Sequence, residues 1–181
     1  MKVFILTYHQ NRHEAERLQK QLIEHNFPEP IIVCCLNNCV IEGIPPSKIV
    51  YHSFYNFILP FMDDDTIFFE DDAVVKSDYS LYLEHFEKGL VSRLSWYKDQ
   101  YIFIGGATCV GFKKDIIESL RAYMNKTKPL HFDRFLCRFA REKLTEDDYY
   151  IIPKHLRLGS TTSHFSLING GTDRLGYSTE N

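Results

Sequence analysis

The sequence predicts an α/β protein with one mostly parallel central sheet and helices on both faces. The main observation is a βαβ unit in the first 36 residues, where the apolar runs "MKVFILTY" and "IIVCCL" flank the amphipathic stretch "NRHEAERLQKQLIEHN". Parallel strands need such a crossover, and its helix covers a face of the sheet. The chain has 181 residues, of which 44% are hydrophobic. That is enough for one sizeable core, so we predict a single domain over residues 1–181.

The first strand and helix follow from residue type and periodicity. "MKVFILTY" has strand length and is rich in β-branched and aromatic residues. The helix that follows is predicted from apolar residues at helical spacing: Ala15, Leu18, Leu22 and Ile23. Asn11 is its predicted N-cap, and Pro28 and Pro30 are predicted to end it.

The rest of the chain continues to alternate strands and helices. "IVYHSFYNFILPFM" predicts a helix after a brief extended start, and "TIFFEDDAVV" predicts a buried strand. Residues 77–98, "SDYSLYLEHFEKGLVSRLSWYK", predict one long helix, and "YIFIGGATCVGFKK" predicts a strand with a Gly-Gly break. Helices over "KKDIIESLRAYMNK" and "HFDRFLCRFAREKL" and a late strand in "YYIIP" precede a tail predicted as loops.

Composition excludes several classes of function. A net charge of −3 without a block of like charges argues against nucleic acid as a partner. The N-terminal apolar run is too short for a signal peptide, and nothing approaches a membrane span, so we expect a cytoplasmic protein. The five cysteines lack metal-ligand spacing, which predicts reduced thiols instead of a zinc site.

Three acids, Glu70, Asp71 and Asp72, follow the apolar run "TIFF". In open α/β sheets ligands bind beyond the carboxyl ends of the strands. Clustered carboxylates there fit either a hard divalent cation or a carboxyl pair for acid–base chemistry. The alternative is a solvated turn, which we favour for Asp63–Asp65 because that stretch precedes the strand and falls at the opposite edge.

"TIFFEDDAVV" resembles the DXD-type element of GT-A glycosyltransferases in an E-D-D form. The resemblance implies a GT-A-like (Rossmann-like) domain with a nucleotide-binding half over 1–75 and an acceptor half with a C-terminal loop over 76–181. It also implies that Asp72 ligates Mn²⁺ or Mg²⁺ directly. Asp71 would face the sugar or ribose or reach the metal through water, and Glu70 would support both.

Downstream segments are similar to the lipopolysaccharide-type β-galactosyltransferases of glycosyltransferase family 25. They are "YIFIGGATCVGFKKDIIESL", "KPLHFDRFL" and "YYIIPKHLRLGSTTSHFSLI". The resemblance places Asp133 at a matching acidic position and implies that it is the catalytic base of an inverting transfer; the alternative is a helix-start residue. Some GT-A enzymes use a C-terminal His as a third metal ligand, which makes His164 a candidate; the alternative is an exposed loop histidine.

Further candidates for contacts with the nucleotide sugar come from their positions in the predicted fold. Thr7 and Tyr8 end the first strand, where the base and ribose would lie. Tyr8 is a candidate to stack on uracil, or else is an ordinary tyrosine at a strand end. Arg12 is a candidate for a phosphate contact, or else belongs to the helix surface. Gly105 and Gly106 interrupt a strand, which indicates close backbone approach to a ligand or a bulge.

The expected function is a metal-dependent hexosyltransferase. Its donor is a nucleotide sugar, with a UDP-sugar as the first expectation, and its acceptor is a glycan or a lipid-linked or protein-linked hydroxyl. One alternative is a nucleotidyltransferase, although "TYHQNRHE" after the first strand has one Arg and no Gly. The other is a non-catalytic or degenerate nucleotide-sugar-binding domain, because the acceptor region is short.

Overall fold

The computed structural model describes residues 1–35, 44, 48–73, 75, 78–80, 83, 90–93, 109–144 and 149–152, with only the backbone path for 90–93 and 149–152. Within these residues six strands form one sheet. They are β1 (Lys2–Thr7), β2 (Ile31–Cys34), β3 (Thr66–Glu70), β4 (Leu90–Arg93), β5 (Cys109–Phe112) and β6 (Tyr149–Ile152). Their spatial order is β2-β1-β3-β5-β4-β6.

The sheet is mixed, with parallel pairing dominant. β1 lies between β2 and β3 and is parallel to both. β5 is antiparallel to β3 and to β4, and β4 is parallel to β6. The βαβ prediction for the first 36 residues is therefore confirmed, as is a mostly parallel sheet.

Within the described residues, four helices with a fully described range pack on the sheet. They are α1 (Arg12–Glu24), α2 (Ile49–Phe57), α3 (Lys114–Lys126) and α4 (Phe132–Lys143). Short 3-10 turns at His9–Asn11 and Leu59–Phe61 precede α1 and follow α2. Each of the four helices lies inside a stretch predicted as helical, although α2 begins at Ile49, without the brief extended start that the sequence predicts.

Both faces of the sheet are covered, as predicted. On β1, alternate residues Phe4 and Leu6 belong to one core cluster with residues of α2, α3 and α4, which we call the three-helix face. Val3 and Ile5 belong to a second cluster with buried residues of α1, which we call the α1 face. Among the described residues, no helix is long and apolar enough to cross a bilayer.

The ends of α1 differ from the prediction. Asn11 occupies the N-cap position, but its side chain makes no capping hydrogen bond. The helix ends at Glu24, before the prolines, and Asn26 just beyond it has a positive φ of 63°. The amide of Asn26 donates to the carbonyl of Ile23 at 3.0 Å, and the amide of Phe27 donates to that of Leu22 at 2.9 Å. This is a Schellman motif, which satisfies carbonyls at the helix end.

The prediction of one helix over residues 77–98 is wrong at its C-terminal part. Tyr79, Ser80 and Leu83 are helical, but 90–93 form β4 between β5 and β6. A four-residue stretch is too short for periodicity to distinguish helix from strand, and pairing on both sides decides the outcome.

Candidate active site at the carboxyl edge of the sheet

The predicted acids lie where neighbouring parallel strands end. Leu6 near the end of β1 is in register with Glu70, the last residue of β3. The amide of Asp71 donates to the carbonyl of Leu6 at 3.1 Å, and the amide of Cys35 donates to that of Thr7 at 2.6 Å. Strand pairing therefore continues one residue beyond both β3 and β2. The acids are at the carboxyl edge, where α/β sheets bind ligands.

Residues Glu70 to Ala73 form a tight turn, which we call the acidic turn. The amide of Ala73 donates to the carbonyl of Glu70 at 3.0 Å, which places Asp71 and Asp72 at the two central positions. Asp71 is 0% exposed and Asp72 is 6% exposed. The alternative of a solvated turn is therefore half right: the turn is present, but its two central carboxylates are buried.

Thr7 ties the acidic turn to β1. Its Oγ1 lies 2.6 Å from Oδ2 of Asp71, and both side chains are buried. This distance is typical of a hydroxyl that donates to a carboxylate. The bond gives Asp71 a defined orientation. A contact of Thr7 with the base or ribose stays a prediction.

The donor atoms of the acidic turn suit a hard divalent cation. Mg²⁺ and Mn²⁺ prefer carboxylate oxygens, and Glu70, at the end of β3, is half-buried. Within the described part of the chain, the Oδ1 atom of Asp72 is buried and accepts no hydrogen bond, although the residue has other interactions. The same part contains no group of three or more His, Cys, Asp or Glu side chains placed to hold a metal.

Tyr8 and Arg12 follow the end of β1. Tyr8 is half-buried and packs against the three-helix face. Arg12 is largely exposed, and its Nε donates to Glu16 at 2.9 Å. That hydrogen bond raises the pKa of the Arg12 guanidinium, with a smaller contribution from the Cys34 thiol at the end of β2. Arg12 therefore lies near the carboxyl ends of β1 and β2 as a permanent positive charge; its phosphate contact stays a prediction.

Asp133 lies in the first turn of α4. It is half-buried, and its Oδ1 accepts a hydrogen bond from the amide of Arg134 at 2.7 Å. The preceding Phe132 packs against Phe68 of β3, with ring centroids 5.4 Å apart. The start of α4 therefore packs over β3 at Phe68, which is two residues before Glu70. The backbone contact supports the helix-start role, and the catalytic role stays a prediction.

Sequence reasoning did not identify Arg17, which contacts the acidic turn from α1. Its Nη2 donates to the carbonyl of Ala73 at 3.1 Å. The two residues are 56 positions apart, and an arginine on an amphipathic helix carries no signal for a particular distant carbonyl. Three predicted site residues, Gly105, Gly106 and His164, lie outside the described residues.

Comparisons with known proteins support the fold. No family model and no curated protein matches the chain. The apo-form glycosyltransferase GlyE of Streptococcus pneumoniae TIGR4 has a TM-score of 0.53 at 15% identity, over 86% of this chain and 46% of GlyE. This chain therefore spans less than half of GlyE. A glycosyltransferase involved in glycosylation of the major capsid of PBCV-1 has a TM-score of 0.50 at 12% identity, over 84% of this chain and 82% of that one.

A third similar structure belongs to another class. It is a putative glucose-1-phosphate thymidylyltransferase from Bacillus anthracis, with a TM-score of 0.53 at 11% identity, over 84% of this chain and 87% of that one. At these identities the likenesses establish the fold alone. The glycosyltransferase-type α/β fold is confirmed, while membership of glycosyltransferase family 25 is not.

Proposed function

We propose that this chain is a metal-dependent glycosyltransferase that moves a sugar from a nucleotide sugar, most simply a UDP-sugar, to a hydroxyl acceptor. The observation that carries the proposal is the acidic turn. It buries Asp71 and Asp72 side by side at the carboxyl edge of the sheet. Two buried carboxylates repel each other and lose hydration, and a divalent cation offsets both effects.

The acidic residues of the site bind the metal and the donor. Asp72 ligates Mn²⁺ or Mg²⁺, with Glu70 and His164 as further ligands, and Asp71, held by Thr7, faces the donor sugar or ribose. When bound, the metal supplies Lewis-acid neutralisation of the diphosphate leaving group.

Other residues bind the donor and activate the acceptor. Arg12 contacts a phosphate and Tyr8 stacks on the base, while Gly105 and Gly106 let the backbone approach the donor. Asp133 removes the proton of the acceptor hydroxyl while that oxygen bonds to the anomeric carbon and the bond to the diphosphate breaks on the opposite side, so this single displacement inverts the sugar. General bases of this kind contribute about 10²–10⁴-fold to rate.

A nucleotidyltransferase is the second candidate, because the putative thymidylyltransferase shares the fold over most of its length. Such an enzyme needs a basic loop for the triphosphate after the first strand. Here a 3-10 turn, His9–Asn11, links β1 to α1, and this stretch has no Gly. The products distinguish the two: a glycosyltransferase releases a nucleoside diphosphate, whereas a nucleotidyltransferase releases pyrophosphate.

The first experiment measures thermal stability with UDP, GDP, CMP or ADP, each with Mn²⁺, Mg²⁺ or EDTA. A ligand at about 100 times its Kd adds about 2.7 kcal/mol, which raises Tm by several degrees in a domain of this size. We expect a shift for one nucleotide, in the first place UDP, only when metal is present. No shift with any combination would contradict the metal–nucleotide site.

Two isosteric variants separate binding from chemistry. We expect Asp72→Asn to abolish the metal-dependent shift, whereas Asp133→Asn keeps it and lowers transfer by about 10²-fold or more. Asp63→Asn is the matched control, because Asp63 is 73% exposed and lies before β3 at the opposite edge. Unchanged binding in Asp72→Asn would remove Asp72 from the metal site, and equal loss of binding and transfer in Asp133→Asn would make Asp133 structural.

A further inference from the structure

We infer that Arg17 is a positioning residue for the acidic turn and thereby controls the affinity of the metal–nucleotide site. The inference rests on the proposed function, because it concerns how the chain prepares that site. Arg17 belongs to α1 and is half-buried. It acts on the turn through a backbone carbonyl, so it need not touch metal or substrate.

The guanidinium of Arg17 is oriented before it reaches the turn. Its Nε donates to Oε2 of Glu14 at 2.8 Å, and its Nη1 donates to Oε1 of Gln21 at 3.0 Å. Both partners are on α1, one turn before and one turn after Arg17. Nη2 is thereby directed at the carbonyl of Ala73, 3.1 Å away. A planar guanidinium held at two corners presents its third corner in a fixed direction.

Ala73 is the residue through which Arg17 acts on the acids. It is 0% exposed, so its backbone polar groups need partners within the protein. Its amide donates to Glu70 and closes the turn, while its carbonyl accepts from Arg17. This carbonyl belongs to the peptide bond after Ala73, so its displacement would shift Ala73, which closes the turn next to Asp72. At the other end of the turn, Thr7 holds Asp71.

Arg17 has two opposing influences on a bound cation. Its positive charge disfavours a metal nearby, although Glu14 at 2.8 Å compensates for much of that charge. Its hydrogen bond favours the metal, because the turn is held in one shape. We expect the hydrogen bond to dominate, since loss of outer residues that orient metal ligands lowers metal affinity by about 10–100-fold.

The chain provides a matched control in Arg121 of α3. Arg121 pairs with Glu118, also three residues earlier, and its Nη2 donates to the carbonyl of Leu59 at 3.1 Å. The exposed fractions of the side chains are 31% for Arg17 and 33% for Arg121. Leu59 lies in the 3-10 turn that leads to the amino end of β3, away from the acidic turn. Arg121→Met therefore removes the same kinds of contact without touching the site.

The test measures Mn²⁺ binding to the whole chain by electron paramagnetic resonance, with the nucleotide selected from UDP, GDP, CMP and ADP. We expect Arg17→Met to raise the Kd of Mn²⁺ by about 10–100-fold, while Arg121→Met leaves it unchanged. Arg17→Lys keeps the charge and the aliphatic stem, so it provides a second test if Arg17→Met fails to fold. It should also raise the Kd, because an ammonium cannot span the same three acceptors. Denaturant unfolding of all variants checks that the stability losses of the two Met variants are similar.

Each outcome decides the inference. The inference is overturned if Arg17→Met and Arg17→Lys bind Mn²⁺ with the same Kd as Arg121→Met. It is also overturned if the Arg17 variants bind Mn²⁺ more tightly, because the charge of Arg17 would then dominate. These results would leave the proposed function intact, because the parent chain still binds. Failure of the parent chain itself to bind Mn²⁺ with any of the four nucleotides would instead reject the proposed function, and the inference with it.

Discussion

At the scale of single residues, the cost of burying charge explains the arrangement around Asp71. A carboxylate removed from water loses hydration free energy unless hydrogen bonds or a counter-charge replace it. Thr7 supplies one such bond from the neighbouring strand at 2.6 Å. The position of Thr7 at the end of β1 follows from the sequence, but its contact with an acid 64 positions away does not.

We expect Thr7→Val to lower the free energy of unfolding by about 1–3 kcal/mol. Valine keeps the volume of threonine but leaves Asp71 without this donor. Thr7→Ser, which keeps the hydroxyl and loses one methyl group, should cost only about 0.8 kcal/mol. Urea unfolding of both variants makes the comparison, and a larger loss in the serine variant would show that packing, and not the hydrogen bond, stabilises this position.

At the scale of elements, local sequence patterns predict where helices lie better than where they end. Of the four apolar residues at helical spacing in α1, Ala15, Leu18 and Leu22 are buried as the pattern predicts, whereas Ile23 is 50% exposed. Its C-terminus is set by Asn26 in a left-handed conformation, and not by the prolines. Asparagine tolerates this conformation better than other residues with a side chain, yet it is also common in helices and loops, so its role was not evident.

Substitution of Asn26 tests this helix end directly. We expect Asn26→Ala to lower the free energy of unfolding by about 1 kcal/mol, because a Cβ without a compensating polar group disfavours positive φ. Asn26→Gly should be neutral or stabilising. Asn26 is exposed, so neither variant loses core packing. Equal stability of the alanine and glycine variants, measured by chemical denaturation, would contradict the conformational explanation.

At the scale of the whole molecule, one sheet with a hydrophobic core on each face determines the position of the carboxyl edge and of the acidic turn on it. Aromatic side chains dominate the three-helix face. Phe54 of α2 contacts Phe68 of β3 and Phe132 of α4, with ring centroids 5.5 Å and 4.5 Å apart. These contacts join a central strand to two helices that are far apart in sequence. The same strand ends in the acidic turn, so the core that holds β3 also holds the site.

Two phenylalanines that are close in sequence test how much this aromatic core contributes to the free energy of unfolding. Phe54 is 0% exposed and Phe61 is 60% exposed. We expect Phe54→Ala to lower the free energy of unfolding by about 3–5 kcal/mol through lost burial and a cavity. Phe61→Ala should change it by less than about 0.5 kcal/mol. Similar losses in the two variants, measured by denaturant unfolding, would mean that the aromatic cluster is not the main core.

The sequence by itself determined the βαβ start, the helical stretches, and three acids at the end of a buried strand. These features depend on neighbours a few residues apart, because the periods of strand and helix are local. Tertiary structure decided that β5 is antiparallel beside β3, that residues 90–93 form a strand, and that Thr7 and Arg17 hold the acidic turn. Each of these depends on a partner tens of residues away, and only the packed sheet determines which partners meet.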